Sequence, residues 1–218
     1  MNPAGPALAL ALAAVAGFAG ALYLWRYCYA GPSAAKTLWK GLAVAPLVTI
    51  SALIPAPVAL TVGLFLCLLG DLALSRPGER WFLAGMAAFA GGHVAYTVLF
   101  FQAGSLPGVT APGLALATFA ALMGWALWSR TGGLRWPVTA YVAVILVMGL
   151  AALGLPPGRV GTIAALAAGA FVASDAVLAA EMFLLAEGSR AKRLAPFAVW
   201  PLYLAAQWGF VALGFALF

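Results

Sequence analysis

Charge is the scarcest thing in this 218-residue chain. Only 7% of its residues are charged, where a soluble domain carries about 25%. Acids are rarer than bases: Asp71, Glu79, Asp175, Glu181 and Glu187 are the five, against eleven Lys and Arg. His93 is the one histidine, which excludes a His-rich zinc site. No G-x-S-x-G elbow surrounds Ser174 or any other serine, so a Ser-His-Asp hydrolase lacks its local signature. What is abundant is apolar: 66% of residues are hydrophobic and the mean hydropathy is +1.08. That excludes a soluble globular domain and disorder alike.

A membrane-spanning helix takes ~20 apolar residues, so eight would use most of this chain and leave only short loops. The apolar runs and their breakers predict an all-α, polytopic membrane helix bundle, a single transmembrane domain over 1–218. Its eight transmembrane helices are expected at about 6–29, 38–54, 58–75, 79–102, 112–129, 134–153, 159–187 and 194–217. Pro57 suits the first turn of the third, and Arg76-Pro77-Gly78 and Gly154-Leu155-Pro156-Pro157-Gly158 are turn signals.

The basic residues set the topology. Arg26, Lys36, Lys40, Arg76, Arg80, Arg130, Arg135, Arg190, Lys192 and Arg193 follow spans one, three, five and seven, and Arg159 alone falls on the other side. The positive-inside rule then puts both termini on the non-cytoplasmic side. The expected location is a bacterial inner (plasma) membrane. Nucleic acid is excluded as a partner, because the basic residues sit in separate short loops; the partners expected are bilayer lipids. Cys28 falls at a cytoplasmic span end and Cys67 inside a span, so they do not read as a disulfide pair.

Topology explains Glu79 and Glu187 as boundary residues, Glu79 in a first helical turn. Asp71, Asp175 and Glu181 are different, because an ionisable group inside a span costs ~2.5–3.5 kcal/mol and marks a cavity, a partner or a function. Glu181 lies ~120° round the helix from Asp175 and reads as a snorkelling or paired residue. Asp71 sits near a helix C-terminus, where a negative charge is disfavoured, so a cation or a proton must compensate it. His93 and Tyr96 share a face of span four, and Tyr203 and Gln207 share a face of span eight. With Lys40 these groups fall in the cytoplasmic half or near the midplane. Counting residues from the span ends leaves Asp71 and Asp175 ~12 Å apart in depth.

Four segments carry a resemblance: Gly70-Asp71-Leu72-Ala73-Leu74, Gly92-His93-Val94-Ala95-Tyr96, Ser174-Asp175-Ala176-Val177-Leu178-Ala179 and Tyr203-Leu204-Ala205-Ala206-Gln207. In this order on an eight-helix bundle they resemble the YhhN family of lysoplasmalogenases. The family's early Lys-Pro stands here as Lys40-Gly41 or as Lys36-Thr37. The resemblance implies a hydrolase that cleaves the vinyl ether bond of a lysoplasmalogen. The products would be a fatty aldehyde and glycerophosphoethanolamine or glycerophosphocholine, with no cofactor and no metal. Asp71 and Asp175 would be the catalytic pair, and Lys40, His93, Tyr96, Ser174, Tyr203 and Gln207 would bind the lysophospholipid substrate.

The chemistry suits such residues. A vinyl ether is opened by protonating the alkene carbon remote from oxygen, which needs a general acid, and then by water, which needs a base. Burial and a second carboxylate push two carboxyl groups apart in acidity. Asp175, the deeper group, is expected to donate the proton, with Asp71 as base or cation stabiliser; the two roles can be exchanged. Lys40 with a loop residue such as Arg76 is expected to hold the phosphate. A cavity among spans two, three, four, seven and eight would house the chain. The rival reading is a proton-coupled transporter or binding protein for a lipid-like substrate, since intramembrane carboxylates also relay protons.

Overall fold

The computed structural model describes residues 4–106 and 108–217. Among them every regular element is helical. The α-helices are α1 (Ala4–Leu22), α2 (Ala34–Leu53), α3 (Val58–Leu74), α4 (Glu79–Gln102), α5 (Ala111–Trp128), α6 (Arg135–Leu153), α7 (Arg159–Phe183) and α8 (Arg190–Ala216). A π-helical turn, Tyr23–Tyr27, extends α1, and a 3-10 turn, Gly132–Leu134, leads into α6. Six of the eight are long and apolar enough to cross a membrane. The other two are α3, which has 17 residues, and α2, which carries Lys36 and Lys40.

Capping explains where the bounds move from the sequence reading. Helix α2 starts at Ala34 because the Ser33 side chain accepts from the Lys36 amide. Ser189 does the same for Lys192, so α8 begins at Arg190, before the apolar run. Helix α7 stops at Phe183, one turn short of Glu187. Pro57 stands just outside α3 rather than in its first turn. Glu79 does open α4, and Glu187 is an exposed boundary residue paired with Lys192 at 2.6 Å. Glu181 is half-buried on α7.

Successive helices reverse and pack, apart from α4 and α5, whose connection is tied elsewhere. There the Leu106 amide donates to the Gly154 carbonyl at 2.9 Å and the Ser105 hydroxyl to Ala151 at 2.6 Å. At the opposite end Tyr29, after α1, packs edge-on against Phe197 in the first turns of α8. The basic connections therefore gather at the Tyr29 end. Cys28 and Cys67 are both buried free thiols.

Helices α3 and α4 approach closely, and glycines make it possible. A Cβ on Gly85 would sit 3.2 Å from the Gly70 carbonyl, and one on Gly92 3.3 Å from the Gly63 carbonyl and 2.9 Å from Cys67 Sγ. Gly63 and Gly70 on α3 thus face Gly92 and Gly85 on α4, a small-residue seam of the kind that lets membrane helices close. Gly70 precedes Asp71, so this seam sets where Asp71 stands. We expect Gly92→Val to cost about 1–3 kcal/mol of stability, as overpacking does, read as a lower unfolding midpoint of the detergent-solubilised protein; an unchanged midpoint refutes the seam.

Candidate active site

Asp71 is buried near the end of α3, and both its oxygens are occupied. Oδ1 lies 2.9 Å from Lys40 Nζ on α2, and Oδ2 accepts from the Tyr203 hydroxyl of α8 at 2.5 Å. With 1% of its side chain exposed, Asp71 has the compensating cation that its position demanded. This also separates the two candidate lysines: Lys36 Nζ donates to the Ala30 carbonyl at 2.6 Å, outside the site. Trp200 closes the cluster, its ring 5.9 Å from Lys40 Nζ and its indole N–H on the Gly20 carbonyl of α1 at 2.9 Å.

Asp175 belongs to a second cluster. Its Oδ2 accepts from the Tyr141 hydroxyl of α6 at 2.5 Å and lies 3.3 Å from His93 Nε2 of α4. His93 Nε2 is also 2.9 Å from the Tyr141 oxygen. Since the tyrosine proton goes to the carboxylate, His93 Nε2 faces two acceptors and must be the nitrogen that carries hydrogen; this tautomer is inferred from the bonding. Nδ1 is buried without a partner among the described residues. No Lys or Arg among the described residues forms an ion pair with Asp175, whose side chain is 16% exposed.

Both carboxyl groups line one cavity of about 140 Å³. At about 30 Å³ per water, it has room for a few waters. Lys40, Asp71 and Asp175 are its charged residues; most of the remainder are apolar, including Phe82, Met86, Leu116, Phe119, Val142 and Met182. Two things reconcile this with the separation in depth read from the sequence. Helix α7 ends four residues early, so Asp175 is eight residues, ~12 Å, from its end instead of ~18 Å. The cavity spans the remaining ~7 Å to Asp71, three residues inside α3. Between the clusters stands Phe171, its ring 4.5 Å from His93 and 5.5 Å from Tyr203.

The other expected site residues are placed differently. Ser174 lines the cavity but spends its hydroxyl on the Val199 carbonyl at 3.0 Å, clasping α7 to α8. Tyr96 and Gln207 do not line it: the Tyr96 hydroxyl donates to Gln207 Oε1 at 2.8 Å in a buried bridge between α4 and α8. His93 is fully buried and reaches the cavity through Asp175. Arg76 is no partner of Lys40, because it stacks over Trp81 and opens on a separate groove between α2 and α3. The cavity is also walled by α5 and α6, which the sequence reading left out, and Tyr141 is the polar residue missed there. Its signal was its place about two turns inside a span, which also suits an interfacial belt tyrosine.

A family model, the YhhN family, matches residues 7–214. The chain belongs to the YhhN family. No curated protein and no solved structure is detectably similar to it. The four motif segments of this YhhN protein thus lie on α3, α4, α7 and α8, and each supplies a member of the two carboxylate clusters: Asp71 and Tyr203 to one, His93 and Asp175 to the other.

The ion pair generates a stability test. Removing Lys40 leaves a buried, unpaired carboxylate, which costs about 3–5 kcal/mol. Lys40→Met should lower the unfolding midpoint sharply, Lys40→Met with Asp71→Asn should recover most of the loss, and Lys36→Met should lower it far less. Equal effects at Lys36 and Lys40 would remove the pair from the account.

Proposed function

We propose that this YhhN protein is a membrane hydrolase that cleaves the vinyl ether bond of lysoplasmalogens, releasing a fatty aldehyde and a glycerophospho-ethanolamine or -choline. The bundle crosses the membrane eight times with both termini outside, and the carboxylates lie in its cytoplasmic half. The ten-to-one division of basic residues between the two ends supports that orientation.

One observation carries the reading: two carboxyl groups of opposite character open into a single, largely apolar cavity. Asp71 is locked by Lys40 and Tyr203, with both oxygens engaged, so it has no free position for a proton. Asp175 is held by donors at Oδ2 only, which leaves Oδ1 to carry and deliver one. The apolar wall admits a hydrocarbon chain, and the cavity has room for the water that hydrolysis consumes.

The steps balance with these groups alone. Asp175 Oδ1–H gives its proton to the alkene carbon remote from the ether oxygen, and the oxygen lone pair completes an oxocarbenium ion. The Asp71 carboxylate, fixed beside the cavity, stabilises that cation. Water adds to the cationic carbon and returns a proton to Asp175, restoring the acid. The hemiacetal then breaks its carbon–oxygen bond to the glycerol: the Asp175 proton goes to the departing glycerol oxygen, which leaves as an alcohol, and the hemiacetal hydroxyl returns its proton to Asp175 as it becomes the aldehyde carbonyl. His93 and Tyr141 hold Asp175 in orientation throughout.

Purified protein supplied with a 1-alkenyl lysophospholipid should release aldehyde. Asp175→Asn should lower kcat by at least about 100-fold, the usual scale of losing a general acid. Asp71→Asn should also lower it, with KM the less affected. Aldehyde at the wild-type rate from both variants would end this assignment; intact substrate accumulating inside liposomes without aldehyde would favour transport instead.

A further inference from the structure

The cavity that carries the carboxylates has a side as well as an interior. Of its lining side chains, two are also exposed at the surface: Phe119, 42% exposed on α5, and Met182, 41% exposed on α7. These two helices pack against one another only slightly, although each packs on α6. Helix α5 is the most loosely held of the bundle, with Gly113, Ala120 and Leu127 its buried residues. It turns Leu116, Phe119, Met123 and Leu127 toward the cavity, one stripe at helical spacing. The exposed pair therefore marks an opening in the side wall, where the cavity meets the bundle's flank.

That opening is tall. Met182 is the penultimate residue of α7, at the basic end of the bundle, while Phe119 is mid-way along α5, ~12 Å from either end. It thus runs from the headgroup boundary toward the hydrocarbon midplane. At its upper edge the helix termini carry exposed cations, Arg130 after α5 and Arg190 opening α8. A single-chain phospholipid in the adjoining leaflet has the matching order of parts: phosphate at the boundary, chain below. Asp175 is seven residues below Met182 on the same helix, ~10 Å, where the first carbons of such a chain lie.

Resting on the hydrolase reading, we propose that the alkenyl chain enters and leaves sideways from the bilayer, through a slot between α5 and α7 framed by Phe119 and Met182. The chain never has to cross water, where each exposed methylene is penalised. The phosphate stays at the basic rim, which accords with the cavity offering a single cation already committed to Asp71. Phe119 and Met182 thereby determine which chains are admitted.

The probe is a 1-alkyl lysophosphatidylcholine bearing a mid-chain diazirine, an ether that cannot be hydrolysed by this route, with the protein in phosphatidylcholine vesicles. Photolabel should map to α5 and α7 around Phe119 and Met182 and be displaced by excess unlabelled lipid. Label that is not displaced, or that maps elsewhere, overturns the slot. In parallel, Phe119→Trp with Met182→Trp should raise KM for a long-chain alkenyl lysolipid about tenfold, the scale on which an apolar pocket discriminates. The same variant should leave the unfolding midpoint and the KM of a short-chain, water-dispersed alkenyl substrate near wild type, and Leu122→Trp, on an exposed face of α5 outside the cavity, should behave as wild type throughout. A variant that treats both chain lengths alike refutes the slot. Displaceable label at the slot without any aldehyde from wild-type protein refutes the hydrolase reading and leaves the access route standing.

Discussion

The ion pair between Lys40 and Asp71 is the constraint to which the rest of the molecule answers. Two opposite charges within a membrane bundle are tolerable only when each is bonded and screened from lipid. Meeting that condition takes three helices: α2 supplies the ammonium, α3 the carboxylate and α8 the Tyr203 hydroxyl. A fourth joins through Trp200, which lies against Lys40 and is anchored to α1 at Gly20. The pair is thus less a source of stability than a registry device. It sets the relative height of α2, α3 and α8, and a slip of one turn would leave a bare charge.

Phe171 carries that registry to the second cluster. Its ring meets Tyr203 on one side and His93 on the other, so the position of the Asp71 cluster limits the position of the Asp175 cluster. The two carboxyl groups therefore share a cavity but not an environment. Asp71 has an ammonium and a hydroxyl, while Asp175 has a hydroxyl and an imidazole nitrogen. A neutralised anion and a carboxyl with a free oxygen are different reagents, although the residue type is the same.

Much of this was legible before any coordinates. The helices could be read because Pro, Gly and charge punctuate the apolar runs so sharply, and boundary shifts came mainly where a serine caps a helix before the run begins. Asp71 and Asp175 could be read because an acid inside a span needs a reason to be there. The need of Asp71 for a cation followed from its place at a helix C-terminus. Which lysine answers was not legible, since Lys36 and Lys40 are four apart and share a face; only three-dimensional packing directs one into the bundle and the other to a backbone carbonyl. Tyr96 and Gln207 looked like Tyr203 and His93 in the sequence, because spacing shows a shared face but not what that face meets. Tyr141 was hidden for the opposite reason: a tyrosine near a span end is ordinary.

The bundle is unevenly built, and the unevenness suits the proposed chemistry. On one side α3 and α4 close glycine to glycine, and α7 and α8 are clasped by Ser174, which holds the charged cluster in a dense wall. On the other side α5 touches the rest lightly and buries few side chains. A buried charged cluster needs the first kind of packing, because misplacing a buried carboxylate by a fraction of a turn costs more than any single contact returns. The bulky, flexible chain of the proposed substrate would need the second kind, because a wall as dense as the α3–α4 seam would have to break to admit it. Glycine and alanine serve the first side, and the adaptable Phe119 and Met123 serve the second. The same scarcity of charge that marks the chain as a membrane protein leaves α5 without a charged residue of its own, so apolar packing holds it along its length, with Arg135 of α6 over Trp128 at its end.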